Sequence, residues 1–192
     1  MSVPASRIRL AEVLTAILAG LACLLVIDQL RLFGSPFLSV LIRLETQYYF
    51  ALIALLLPGV FLIYRSRWAA LDASLCFGAF LAPLWLLLHA EAIANEGWEF
   101  LAPDHAVLAS SIVWLLVLEA VRRVTGWVLF GIALVFSMYP LFADLMPLMI
   151  SGMAIGFRET ASYHAMSIES IVGLPFRAFA NLVVGFLVFG AT

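Results

Sequence analysis

The chain contains no lysine. All ten of its basic residues are arginine, against twelve acidic ones, and the formal net charge is only −2. No block of basic charge points to a nucleic-acid partner. Charged residues make up 11% of the 192 positions, where an ordinary soluble domain carries about 25%. Cysteine is scarce as well. Cys23 and Cys76 both lie inside apolar runs, which suits small packing residues rather than a disulfide or a metal pair. There is no Walker loop, no G-x-G-x-x-G in a strand-to-helix setting and no H-E-x-x-H, so nucleotide binding or zinc proteolysis of those kinds has no support.

What is present is apolar. Hydrophobic residues fill 65% of the chain, in runs too long for the core helices of a soluble domain. Lipid is therefore the expected solvent. A helix rises about 1.5 Å per residue, so roughly 20 residues cross the hydrocarbon. Five spans are predicted, at 10–28, 46–64, 72–89, 105–121 and 127–150, and a sixth begins near Phe176 and is still apolar at Thr192. The runs are continuous rather than alternating, which selects helices over a β-barrel. The expected fold is an all-α integral membrane bundle of five transmembrane helices plus an incomplete sixth. Pro58, Pro83 and Pro140 fall inside their spans; each removes a backbone donor and is expected to bend its helix.

Arg7 and Arg9 precede the first apolar stretch, as in a signal peptide. The stretch from Leu10 to Ile27 has no small-x-small cleavage site, however, and "GLAC" at 20–23 is followed by "LLVI" rather than a polar tail. The segment reads as an uncleaved membrane helix. Five crossings place Arg7 and Arg9, Arg65 and Arg67, and Arg122 and Arg123 on one side, which the positive-inside rule makes the cytoplasm. The N-terminus is then cytoplasmic. The 90–104 connection has no arginine and carries Glu91, Glu96, Glu99 and Asp104, as suits the outer side. Trp68 and Trp127 flank the cytoplasmic arginines and Trp98 lies in the outer connection, the expected interfacial positions. The segment 29–45 is too broken to span and is expected along the outer interface, turning at Gly34-Ser35-Pro36.

In "LEAVRRVTGW", residues 118–127, Glu119 and Arg123 are one helical turn apart and share a face. The two arginines sit at the end of the fourth span, where basic side chains favour the helix C-terminus and lipid headgroups. The cluster reads as an anchor. His89, His105 and His164 are all placed near the outer interface. His89 and His105 flank the acidic connection and could approach each other. Ser110, Ser111 and Ser137 lie in spans with no histidine expected beside them, as packing residues do. Asp144, late in the fifth span, and Asn181, early in the sixth, are intramembrane polar groups and hence candidate functional positions.

Several stretches together resemble the fused permease of tripartite ATP-independent periplasmic (TRAP) transporters, of the type paired with TAXI binding proteins. "LEAVRRVTGWVLFGIALVFSMYPLFADLMP" at 118–147 looks like that family's approach to its fifth helix, matching at Glu119, Arg122, Arg123, Gly126, Trp127, Tyr139, Phe142 and Pro147. "SIESIVGLPFRAFANLVVGFLVFGA" at 167–191 resembles its acidic and Gly-apolar-Pro segment, matching at Glu169, Gly173 and Pro175, with Ser170 where glycine is more usual. Before about residue 110 the resemblance is one of hydropathy only. It implies a secondary transporter of organic solutes driven by an ion gradient, usually sodium, in a bacterial or archaeal cytoplasmic membrane. A periplasmic solute-binding protein and a large permease domain or subunit would be its partners. Residues 1–175 would be the scaffold portion and 176–192 the first helix of the large domain, cut short. The solute and sodium residues of the family have no counterpart here, and no cofactor, metal or catalytic residue is implied. The rival readings are a membrane enzyme with a site near His89, His105 and Asp144, and a non-transporting remnant.

Overall fold

A computed structural model of the chain describes residues 5–29, with side chains from Leu10 on, 42–147 and 149–170, and isolated positions beyond. Every regular element among the described residues is helical. In chain order these are α1 (Ala5–Gln29), α2 (Glu45–Ile63), α3 (Ala69–Leu88), α4 (Ala90–Glu96), α5 (Asp104–Thr125), α6 (Trp127–Met138) and α7 (Phe157–Met166), with short 3-10 turns at Tyr139–Leu141 and Ala143–Leu145.

The helices α1, α2 and α3 are long and apolar enough to cross a membrane. That is fewer than the five spans and an incomplete sixth expected, and the reasons differ along the chain. α5 has the length, at 22 residues, but carries Asp104, Glu119, Arg122 and Arg123. α6 stops at Met138, because Pro140 cannot continue the backbone ladder. The chain then turns back on itself: the Ile155 N–H donates to the Pro140 carbonyl at 3.0 Å and the Gly152 N–H to the Ala143 carbonyl at 3.0 Å. The Tyr139 hydroxyl donates to the Ile150 carbonyl across the same turn. A continuous span over 127–150 does not form. Residues 30–41, most of the interfacial segment expected at 29–45, lie outside the described residues, as does nearly all of the sixth helix.

Local signals set the helix ends. Gln47 caps α2 by accepting the Arg43 and Leu44 N–H groups on Oε1, at 2.8 and 3.2 Å. The Arg65 Nε donates to the Leu62 carbonyl at 3.1 Å, a basic side chain on an orphan C-terminal acceptor. Pro58 and Pro83 are buried within continuous helices. α4 ends at Gly97 with φ +66°, the left-handed cap that glycine adopts without strain.

The largest core cluster joins Ala22, Leu25 and Val26 of α1, Tyr48, Phe50 and Leu52 of α2, Leu86 of α3 and Val113 of α5. α1 lies against α2 in the opposite sense. Its Thr15 methyl comes within 3.4 Å of where a Cβ on Gly59 would sit, while its later residues meet the start of α2. Small residues let the helices approach, among them Ala79, Ala82, Ala109 and Ala120.

Only Gly126 separates α5 from α6. Its φ of +85° and ψ of −173° lie in a region that only glycine occupies readily, at a cost of about 1–3 kcal/mol for other residues. A Cβ there would meet no atom within 4 Å, so the constraint is purely of the backbone. Gly126→Ala is expected to destabilise the protein by that amount in thermal unfolding in detergent. Gly131→Ala, in the middle of α6 and equally free of neighbours, is expected to be neutral or to stabilise by about 0.5–1 kcal/mol.

Candidate functional site

Four charged side chains meet where α2 ends, α3 begins and α5 ends. The Asp72 carboxylate comes from the first turn of α3. Its Oδ2 accepts the Ser66 N–H at 2.8 Å and its Oδ1 accepts Arg123 Nη1 at 2.8 Å. The same Nη1 donates to the Tyr64 carbonyl at 2.8 Å, and Arg123 Nε donates to Glu119 Oε1 at 2.7 Å. Arg122 grips Glu119 with two parallel bonds, Nε to Oε2 at 2.7 Å and Nη2 to Oε1 at 2.6 Å, the bidentate geometry that guanidinium and carboxylate favour. The faces of the two guanidiniums lie against aromatic rings, Arg122 at 4.9 Å from the Trp127 centroid and Arg123 at 5.0 Å from that of Phe61.

The side chains of Arg123 and Asp72 are only 5% and 9% exposed. Beyond the anchoring expected of 118–127, Arg123 thus ties α5 to the start of α3. Helical spacing identified the Glu119–Arg123 pair, but Asp72 is 51 residues away and nothing local links it to Arg123. Trp68 and Trp127, in contrast, are 74% and 69% exposed, an arrangement compatible with a membrane surface. Arg65 and Arg67 are exposed beside them.

At the opposite end of α3, four rings assemble. The His89 imidazole stacks on Trp85 at 3.9 Å between centroids, and its Nδ1 lies 2.9 Å from the Trp85 carbonyl. A carbonyl can only accept, so Nδ1 carries the hydrogen. His105 meets Trp85 and Trp98 edge-on at 5.4 and 5.7 Å. Both histidines therefore reach one cluster through the two tryptophans. Trp98 is not an exposed interfacial ring: it is 7% exposed, and its Nε1 donates to Glu96 Oε2 at 2.8 Å. No group of three or more His, Cys, Asp or Glu side chains suited to a metal occurs among the described residues.

A third constellation went unseen in the sequence. Ser137 does have a histidine beside it. His164 Nε2, from α7, donates to the Ser137 carbonyl at 2.7 Å, and Trp114 Nε1 donates to the Ser137 hydroxyl. With the hydrogen on Nε2, His164 Nδ1 is an acceptor, 3.2 Å from the Ser170 hydroxyl. That hydroxyl also lies 3.3 Å from the His164 carbonyl, so it can close the last turn of α7. The arrangement staples α7 to α5 and α6. Its only sequence signal was a histidine, a tryptophan and two serines scattered over three segments.

The remaining candidates do not converge. Asp144 is exposed in the second 3-10 turn, and Glu169 is exposed after α7. Tyr139 pins the return of the chain after α6. Asn181, Gly173 and Pro175 lie outside the described residues. Cys23 and Cys76 are free. No family model, no curated protein and no solved structure matches this chain.

Asp72→Asn would leave Arg123 buried with one charge partner fewer. The expected loss is about 3–5 kcal/mol, as for breaking one side of a buried pair. Arg122→Gln removes a half-exposed partner and is expected to cost about 1 kcal/mol or less. Denaturant or thermal unfolding of the two variants in the same detergent checks the ranking.

Proposed function

We propose that this chain is the membrane scaffold part of a TRAP-type, ion-gradient-driven importer of organic solutes, resident in the cytoplasmic membrane with its N-terminus inside. The proposal rests on the family resemblance at 118–147 and 167–191. One structural observation supports it: a helical frame clamped by buried charges presents long apolar faces outward. Val13, Ile17 and Leu24 on α1 and Val128, Val135 and Phe136 on α6 are all exposed. Surfaces of this kind need lipid or a partner helix. In this reading a large permease domain or subunit covers part of them, and the scaffold holds still while that partner moves.

The proposed sidedness has support from the contacts. The Arg123 bonds bring the ends of α2 and α5 and the start of α3 together, and α1 runs opposite to α2. The segments bearing Arg65, Arg67, Arg122 and Arg123 thus share one end, towards which the N-terminus of α1 also points. The connection with Glu91, Glu96 and Glu99 leaves from the other end of α3. In this reading α5 and α6 also traverse the membrane, their charges gathered at the inner surface, and the acidic connection faces the solute-binding protein.

Two measurements test this. In cells, a cysteine at Ser66 should react with impermeant reagents only from inside, and one at Asn95 only from outside, in a background lacking Cys23 and Cys76. The reverse pattern would sink the topology. Deleting the gene should abolish sodium-dependent uptake of at least one organic acid, and the chain should co-purify with a large apolar permease. Unchanged uptake across a solute panel, together with purification of the chain alone, would leave a transport role without support.

A further inference from the structure

A cleft of about 220 Å³ opens between the segment before α5 and the first turns of α7. One wall is apolar, formed by Phe100, Leu101 and Val107. The other carries Arg158, Glu159 and Ser162. Ser162 is 1% exposed, yet its hydroxyl has no hydrogen-bond partner within the protein. A buried hydroxyl left unpaired is destabilising, and here it borders the cleft.

The charges flanking that hydroxyl are of opposite sign and separately placed. Arg158 Nη2 donates to Asp104 Oδ1 at 2.6 Å, which orients the guanidinium while its other N–H groups remain open. The Glu159 carboxylate folds back over Gly156 at the start of α7, where the helix dipole favours a negative charge. One edge of the cleft thus offers donors to an oxyanion, and a neighbouring edge offers a carboxylate to an ammonium.

We propose that this cleft binds a phosphoethanolamine group. The phosphate oxygens accept from Arg158 and from the Ser162 hydroxyl. The primary ammonium donates to Glu159. The exposed Phe100 and Leu101 side chains lie beside the cleft and suit the glycerol and first methylenes of a phospholipid. A choline headgroup offers the same phosphate but no N–H for Glu159, so the site distinguishes the two. The group could be supplied by membrane phosphatidylethanolamine or by free glycerophosphoethanolamine. The inference rests on the membrane placement of the helices and not on a transport role.

The test is native mass spectrometry of the full chain released from nanodiscs holding equal phosphatidylethanolamine and phosphatidylcholine. Retention should favour ethanolamine by about tenfold, the value of one charge-assisted hydrogen bond. The preference should vanish in E159Q. S162A should retain less of either lipid while melting no lower than the parent, because it removes an unpaired hydroxyl rather than a structural bond. Competition by millimolar glycerophosphoethanolamine would identify the free compound as a ligand, and its failure to compete would identify the lipid. Equal retention of the two lipids, a preference unchanged in E159Q, or retention undiminished in S162A would overturn the proposal.

Discussion

The position of α5 depends on one buried guanidinium. Arg123 carries a full charge at a point where water is nearly excluded, and desolvating such an ion costs several kcal/mol unless its donors are met. Glu119 comes from its own helix and could meet them wherever α5 lay. Asp72 and the Tyr64 carbonyl cannot, because they belong to the first turn of α3 and the end of α2. Pairing the Nε and Nη1 donors of Arg123 therefore ties three helix ends together, while its buried Nη2 has no hydrogen-bond partner among the described residues. Asp72 is in turn held by the Ser66 N–H, so the turn is shaped by the ion pair that it supports. Arg122 adds a second grip on Glu119 and lays its face on Trp127, the first residue of α6.

Away from that seam, close packing takes over. The helices approach through alanine and glycine, and the three largest fully buried side chains, Tyr48, Phe50 and Phe61, come from α2. This makes α2 the central helix, enclosed by α1, α3 and α5, while α1 and α6 keep large apolar side chains on the outside. The far end is closed differently, by stacked rings in place of charges: Trp85, His89, Trp98 and His105 cover the junction of α3, α4 and α5. α7 is held by polar contacts to the backbone of Ser137 and by Ala161 against Trp114 and Leu118. A charged lock, an aromatic lid and a histidine staple thus secure three different edges of one bundle.

Much of this was legible beforehand, and the reasons are local. Apolar runs place α1 to α3 and α5 to within a few residues, because run length and helical rise are both set by residues close in sequence. The Glu119 pairings with Arg122 and Arg123 follow from spacing of three and four. The break after α6 was half legible: Pro140 marked it, but hydropathy alone carried the expected span on to residue 150. Trp98 was misplaced because an aromatic residue in an acidic connection reads as interfacial, and only the fold shows Trp85 and His89 waiting to bury it.

The sequence by itself determined that the chain is helical, that its first three long helices suit lipid, and which of its arginines neighbour one another along the chain. It did so because these properties depend on residues within a turn or two of each other. The tertiary structure alone decided that Asp72 answers Arg123, that His164 reaches Ser137 and that Ser162 is buried beside Arg158 and Glu159 at a cleft. Those outcomes depend on which helix faces meet. That choice is made by the packing of small residues and by the cost of leaving a buried charge or donor unpaired, neither of which is written in any single stretch of the chain.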